Sequence, residues 1–340
     1  MAIRFGVIGC GAIGAWHCIA IQDAAGAELA GVADAFPASA KKFSERFGVP
    51  AYESVDALLS DPKIDCITIC TPSGLHADLA VRAAEAGKHV LVEKPMALTV
   101  EDAHRIIEAG DRSHVKIGVV FQSRTNDSTK TLKSLVDTGR LGRVITADVF
   151  MKYYRSAEYY LQGGWRGTWK MDGGGALMNQ GIHSVDLLQY LAGPVKSVYG
   201  IARTLAHKIE VEDTVVAAVE FRSGALGLIQ ATTAVHPGYP RRLSISGTEG
   251  TVTISDDYFV EWDIRGYPKP ENIVLGTPED SGASDPMNFS TEGHRLHIVD
   301  MVDAIVNDHD PMVTAREGAK AIEIIRAVYE SSQKGSRIDF

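Results

Sequence analysis

Cysteine is scarce: the chain has four, Cys10, Cys18, Cys66 and Cys70, all in the first 70 residues and all within apolar segments. No pair has Cys-x-x-Cys spacing, which argues against a disulfide framework or a structural zinc site and predicts buried, reduced thiols, with Cys66 and Cys70 on one face of a strand. Long apolar runs are missing as well. No stretch reaches the ~18 apolar residues of a membrane span, and the first four residues lead straight into a strand-like run with no room for a signal peptide. The expectation is a soluble, cytoplasmic protein without a membrane partner, in which the Asn-x-Ser matches at Asn126 and Asn288 carry no meaning. Positive charge is in deficit, with 34 Lys and Arg against 43 Asp and Glu and a net charge of -9. With no basic cluster either, a nucleic-acid surface is excluded, while a small anionic substrate is not.

What is present begins at once. Residues 3–8 form an apolar run that enters Gly9-x-Gly11-x-x-Gly14 and then a helical stretch over residues 12–21. Gly9 permits the tight turn, Gly11 lets the backbone approach a pyrophosphate, and Gly14 lets helix pack on strand. The helix start adds unpaired N–H groups and a partial positive charge. With 33 glycines in the chain the spacing alone is weak, so its context carries the weight. A second strand, residues 27–33, ends in Asp34, where a carboxylate can accept from the adenosine ribose hydroxyls. Residues 35–39 supply no arginine for a 2′-phosphate, so NAD is favoured over NADP.

A chain of 340 residues, 45% hydrophobic, suits two domains. Up to residue 122, strands (3–8, 27–33, 64–70, 88–92, 116–120) alternate with helices, which predicts an α/β domain with a doubly wound parallel sheet. Residues 123–340 read as a second, α+β domain. There a strand at 144–153 and six more between 195 and 264, separated by short turns, predict a largely antiparallel open sheet arranged as a meander. Residues 267–291, rich in Pro, Gly, Asp and Ser, suggest a long loop near a substrate opening, and helices at 294–307 and 315–334 end the chain.

Ligands of open α/β sheets sit at the carboxyl ends of the strands, where Thr71-Pro72-Ser73 with His76, and Glu93-Lys94-Pro95, are found. A lysine desolvated there has a lowered pKa and can exchange protons near neutrality, as acid-base work on an alcohol requires. Farther on, Asn179, His183 and Asp186 are spaced to share one helix face, either as a reactive group around an imidazole or as a polar stripe at a domain interface. Arg155, Tyr159 and Tyr160 suit a sugar pocket or a surface loop equally. His294, His297, Asp300 and Asp303 also share a helix face, but such stripes are common and no metal is expected.

Together these motifs resemble the Gfo/Idh/MocA family of oxidoreductases, which includes glucose-fructose oxidoreductase and inositol dehydrogenases. The likeness spans the Gly9 to Gly14 turn, Thr71-Pro72-Ser73 with His76, Glu93-Lys94-Pro95, Trp165-Arg166, and Gly173-Gly174-Gly175 followed by His183. It implies an N-terminal Rossmann domain, a C-terminal sheet through which the chain forms a homo-oligomer (dimer or tetramer), and hydride transfer between NAD and a secondary hydroxyl of a sugar, sugar acid, cyclitol or nucleotide sugar. It also implies that Lys94 and His183 are the catalytic pair, that a cis bond precedes Pro95, and that Gly9, Gly11, Ala12, Ile13, Gly14, Asp34, Thr71, Pro72, Ser73, His76, Glu93, Lys94, Gln122, Trp165 and Arg166 line the cofactor. Many members carry Asp where this chain has Asn179, which can orient a neighbour but cannot take a proton. Members resembling nucleotide-sugar 3-dehydrogenases carry Asn there. The family also has regulatory offshoots that bind dinucleotide without turnover; the presence of both Lys94 and His183 favours the enzyme.

Overall fold

The structure, a computed structural model, describes residues 2–276, 283 and 291–340. Its first half alternates as the sequence predicts: β1 (Ile3–Ile8), α1 (Ala12–Asp23), β2 (Ala27–Ala33), α2 (Pro37–Phe47), α3 (Val55–Ser60), β3 (Cys66–Ile69), α4 (His76–Glu85), β4 (His89–Val92), α5 (Val100–Ser113) and β5 (Ile117–Val119). Local chemistry sets several helix ends. Pro37 opens α2 and Gly48, at φ 71°, closes it, while the Thr99 hydroxyl accepts from Asp102 N at the start of α5. The five strands are parallel in the order β2-β1-β3-β4-β5. The order reverses between β1 and β3, and the crevice at such a switch point is where doubly wound sheets bind ligands.

The second half adds α6 (Asp127–Asp137), β6 (Val144–Tyr154), α7 (Ala157–Leu161), α8 (Ile182–Ala192), β7 (Val195–Arg203), β8 (Thr214–Phe221), β9 (Leu226–Thr232), β10 (Ala234–Gly247), β11 (Gly250–Ser255), β12 (Tyr258–Ile264), α9 (Glu292–Val306), α10 (Ala315–Lys334) and β13 (Ile338–Asp339). Eight strands form one sheet in the order β12-β11-β10-β6-β9-β8-β7-β13. It is largely antiparallel but not a plain meander. β6 lies between β9 and β10 and runs parallel to β9, a pairing joined by a long crossover rather than a hairpin. Alternation gives the sheet two unlike faces. Val215, Ala217, Val219 and Ile229 are buried, whereas Tyr199, Ile201, Val216, Leu226 and Leu228 on the opposite face are 43 to 59% exposed. Of the expected 267–291 loop, residues 267–276 are irregular with one bridge from Leu275 to Phe259, and residues 277–282 and 284–290 lie outside the described residues.

The chain divides into two compact units, Met1–Gln122 with Ser290–Ala319, and Ser123–Phe289 with Lys320–Phe340. The sequence placed everything after residue 122 in one continuous domain, but α9 returns to the first unit. There Ile298 and Met301 join Phe5, Val7, Cys18, Ile21 and Leu91 in one core. The spacing of α9 reveals an inward face and says nothing about which core that face enters. Among the described residues, no helix is long and apolar enough to cross a membrane.

Candidate active site

The turn between β1 and α1 has the geometry of a phosphate cradle. Gly9 adopts φ +105°, a Cβ on Gly14 would sit 2.0 Å from the Gly9 carbonyl oxygen, and a Cβ on Gly11 would meet nothing within 4 Å. The backbone is therefore pressed tight on the protein side and open on the other. Gly11 caps α1 without a side-chain bond, and no acidic residue sits in the first turn. The N–H groups of Ala12, Ile13 and Gly14 have no partner within the helix and carry the positive end of its dipole. Asp34 follows β2, its carboxylate accepting from Cys10 N at 2.7 Å and Phe36 N at 2.8 Å, so it is tied to the glycine turn. All four cysteines are buried, and burial pushes the Cys10 and Cys18 thiols up to about 12.

Beyond β3 and β4 lie the other residues expected here. Pro72 precedes a 3-10 turn over Ser73–Leu75, Ser73 is buried, and the Thr71 Oγ1 is buried with no hydrogen-bond partner among the described residues. Such an orphaned oxygen fits a polar ligand at this strand end. His76 is buried with Nδ1 2.7 Å from the Pro95 carbonyl and Nε2 2.8 Å from the Thr71 carbonyl. Burial holds its pKa below the ordinary value against the pull of both carbonyls. A neutral ring donates to one of them, and either way it ties the two strand-end loops together. The Lys94–Pro95 bond is cis. Glu93, expected to line the cofactor, instead turns its carboxylate inward, 6% exposed, to His17 Nε2 at 2.8 Å and His294 Nε2 at 3.3 Å. Gln122 begins a short 3-10 turn over Gln122–Thr125. The open cradle, the tied Asp34 and the orphaned Thr71 hydroxyl are suited to NAD.

In the second unit the expected helix over Asn179, His183 and Asp186 is broken. Residues Ala176–Gln180 form a π turn, and α8 starts only at Ile182, so the three side chains do not make one stripe. Asn179 donates from Nδ2 to the buried Asp172, whose other oxygen accepts from Gly167 N at 2.9 Å. Asp186 is buried against Arg124 with bonds of 2.8 and 2.6 Å, which gives it a structural part rather than a chemical one. His183 stands half-buried on the first turn of α8. Glu212 holds the π turn, accepting from Gly175 N at 2.8 Å, from Leu177 N at 2.9 Å and from the Tyr329 hydroxyl at 2.9 Å. A Cβ on Gly175 would lie 1.8 Å from the Glu212 carbonyl oxygen, so this close approach needs glycine. The Arg166 guanidinium lies 4.9 Å from the Trp165 ring and 4.7 Å from the Tyr159 ring, and that of Arg155 lies 5.6 Å from the Tyr159 ring. Gln180 donates to the Tyr159 hydroxyl at 3.0 Å. Sequence reasoning missed Glu212 and Arg124, and it saw Asp172, the acid ahead of the glycine triplet, without giving it a part.

Residues 3–121 match a family model described as an oxidoreductase family with an NAD-binding Rossmann fold, and residues 129–253 match the GFO/IDH/MocA C-terminal domain. The chain belongs to the Gfo/Idh/MocA oxidoreductase family. Its first unit is an NAD-binding Rossmann domain. Among solved structures, this Gfo/Idh/MocA protein is similar to the WlbA dehydrogenase of Bordetella pertussis in complex with NADH and UDP-GlcNAcA, with 36% identity, a TM-score of 0.90, and coverage of 100% of this chain and 98% of that one. It is 30% identical to inositol 2-dehydrogenase of Rhizobium meliloti (strain 1021) over 79% of this chain and 82% of that protein. It is also 26% identical to scyllo-inositol 2-dehydrogenase (NAD(+)) of Bacillus subtilis (strain 168), over 98% and 95% of the two chains.

Proposed function

We propose that this protein is a cytoplasmic NAD-dependent dehydrogenase that oxidises a secondary hydroxyl of a sugar-like substrate, and that among sugars, sugar acids, cyclitols and nucleotide sugars it takes an acidic nucleotide sugar. The observation that carries the reading is the likeness over the whole chain to a dehydrogenase bound to NADH and UDP-GlcNAcA. Two features of the second unit support it. Asn179 stands where many members of the family have Asp and members resembling nucleotide-sugar 3-dehydrogenases have Asn, and the guanidinium groups of Arg155 and Arg166 gather around Tyr159, next to Gln180, offering charge to an anionic group.

Bound NAD would supply the hydride acceptor, cradled by Gly9, Gly11, Ala12, Ile13 and Gly14, with Asp34 at the ribose and Thr71, Pro72, Ser73, His76, Gln122, Trp165 and Arg166 along it. The hydroxyl must lose its proton as hydride leaves the carbon, so a base has to lie within hydrogen-bond reach of that oxygen. Lys94 contacts the oxygen and takes the proton, and His183 shares or relays it. Asn179, held by Asp172, orients the proton path without titrating. The exposed apolar face of the eight-stranded sheet, with Ile201 directly opposite Val216 and Ala218 opposite Leu228, is the surface through which copies of the chain associate as dimer or tetramer.

Turnover tests the reading. Lys94→Ala and His183→Ala should each lower kcat by at least about 10²-fold with NAD affinity little changed, and Asn179→Ala should cost less than His183→Ala. The assay follows NADH formation with a panel of nucleotide-sugar acids, sugars and cyclitols. Near-normal turnover in both the Lys94 and His183 variants would move a non-catalytic dinucleotide-binding role to first place.

A further inference from the structure

One cluster in the first unit has no part in that proton path. Glu93 follows β4; its Oε1 faces Nε2 of His17, on α1, at 2.8 Å and Nε2 of His294, on α9, at 3.3 Å, and its Oε2 accepts from Lys94 N at 3.2 Å. His17, Glu93 and His294 are 0%, 6% and 2% exposed. Behind them the Thr68 hydroxyl meets His17 Nδ1 at 2.9 Å. Two imidazoles and a carboxylate could also hold zinc. An ion with bonds of ~2.0–2.1 Å keeps tetrahedral ligand atoms about 3.3 Å apart, however. The 2.8 Å contact is closer than that and is a hydrogen bond.

The charge on the cluster follows from its donors. Imidazole is more basic than carboxylate, so the shared protons rest on nitrogen, and Glu93 is left as an acceptor of three N–H groups. Burial would raise the Glu93 pKa, but the bonds from His17 and His294 outweigh it and hold the carboxyl well below the usual range. Burial in turn lowers the His17 pKa and keeps that ring neutral. The ionised carboxylate of Glu93 is therefore sealed at the carboxyl end of β4, one residue before Lys94 and at the edge of the sheet where ligands of this fold bind.

We propose that the buried Glu93 carboxylate sets the relative affinity of this protein for the two redox states of its cofactor, favouring NAD+, whose nicotinamide ring is cationic, over NADH, whose ring is neutral. The inference rests on the proposed function, which puts Lys94 at the reacting hydroxyl and hence beside the nicotinamide that takes the hydride. His17 and His294 are positioning residues here: they keep the carboxylate ionised where no water can solvate it. A unit charge acting across about 10 Å of protein is worth roughly tenfold in a binding constant.

Calorimetric titration of NAD+, NADH and ADP-ribose, which lacks the nicotinamide, into the whole protein tests this. In Glu93→Gln the ratio Kd(NADH)/Kd(NAD+) should fall about tenfold while ADP-ribose binds as in the wild type. Glu93→Asp keeps the charge and loses the geometry, so its ratio should stay within about twofold of the wild type even where both affinities drop. An unchanged ratio in a Glu93→Gln protein that still binds ADP-ribose overturns the proposal. So does a tenfold change of ratio in Glu93→Asp, and so does stoichiometric zinc in the purified wild type. If Glu93→Gln does not fold, Glu93→Leu, which also removes the charge and leaves no buried polar group, takes its place with the same tenfold fall expected and an unchanged ratio again overturning the proposal. A wild type that binds none of the three ligands would instead sink the cofactor reading itself, a distinct outcome.

Discussion

Replacing Glu212 by Gln should remove a pH dependence of stability that the second unit carries. The carboxyl is 4% exposed, and burial pushes its pKa from 4.5 up to about 7, although Leu177 N, Gly175 N and the Tyr329 hydroxyl bond to it and pull the other way. In the unfolded chain the group loses its proton near 4.5; in the native protein it keeps it to about 7. Between those values the folded state binds the extra proton, so the contribution of Glu212 is fully present below the unfolded pKa and is lost as pH rises through the folded one. The span of 7 − 4.5 = 2.5 pKa, at ~1.4 kcal/mol each, amounts to about 3.5 kcal/mol. About 2.5 kcal/mol of that falls between pH 5 and pH 8. Urea unfolding is followed by tryptophan fluorescence, to which Trp169, its ring 5.6 Å from Tyr329, contributes a signal from this region. The stability of the wild type minus that of Glu212→Gln should drop by about 2.5 kcal/mol from pH 5 to pH 8. A difference that stays flat over that range refutes the buried titration.

Asp34 should make NAD the preferred cofactor, and Asp34→Ala should reduce the NAD/NADP ratio of kcat/KM by about tenfold or more; a wild type that uses NADP better than NAD would contradict the role of this carboxylate. Asp186→Asn leaves the Arg124 guanidinium buried without its counter-charge and should cost about 3–5 kcal/mol in urea unfolding, whereas a loss below about 1 kcal/mol would show the pair to be dispensable. In light scattering the wild type should run as a multiple of 36.6 kDa and Ile201→Glu as the monomer; a monomeric wild type would remove the exposed sheet face from consideration as an interface.

Much of the first unit was legible because its signals are local. The β1 turn needs glycine for a positive φ and for a carbonyl oxygen 2.0 Å from where a Cβ would stand, and those requirements are written in the spacing of Gly9 and Gly14. The helices at residues 37–47 and 315–334 were readable to the residue from periodicity with Pro37 and Gly48 as punctuation. The candidate site was legible in part. Asn179 and His183 follow α-helical spacing, but whether the backbone between them keeps that pitch depends on Glu212, more than 30 residues away, which accepts the N–H groups of Gly175 and Leu177 and stabilises a π turn. Nothing near residue 179 records that.

By itself, then, the sequence determined the alternation that makes the parallel sheet, the glycine cradle with Asp34 behind it, the burial of the four cysteines, and the motifs that mark the family. Each of these depends on residues close together in the chain, where side-chain period and backbone sterics act directly. Only the tertiary structure decided that α9 packs into the first core, that β6 runs parallel to β9, that Asp186 is spent on Arg124, and that Glu93 lies between His17 and His294. In each case a residue's part depends on a partner tens to hundreds of positions away. A carboxylate reads the same in a sequence whether water, an arginine or two imidazoles will hold its charge.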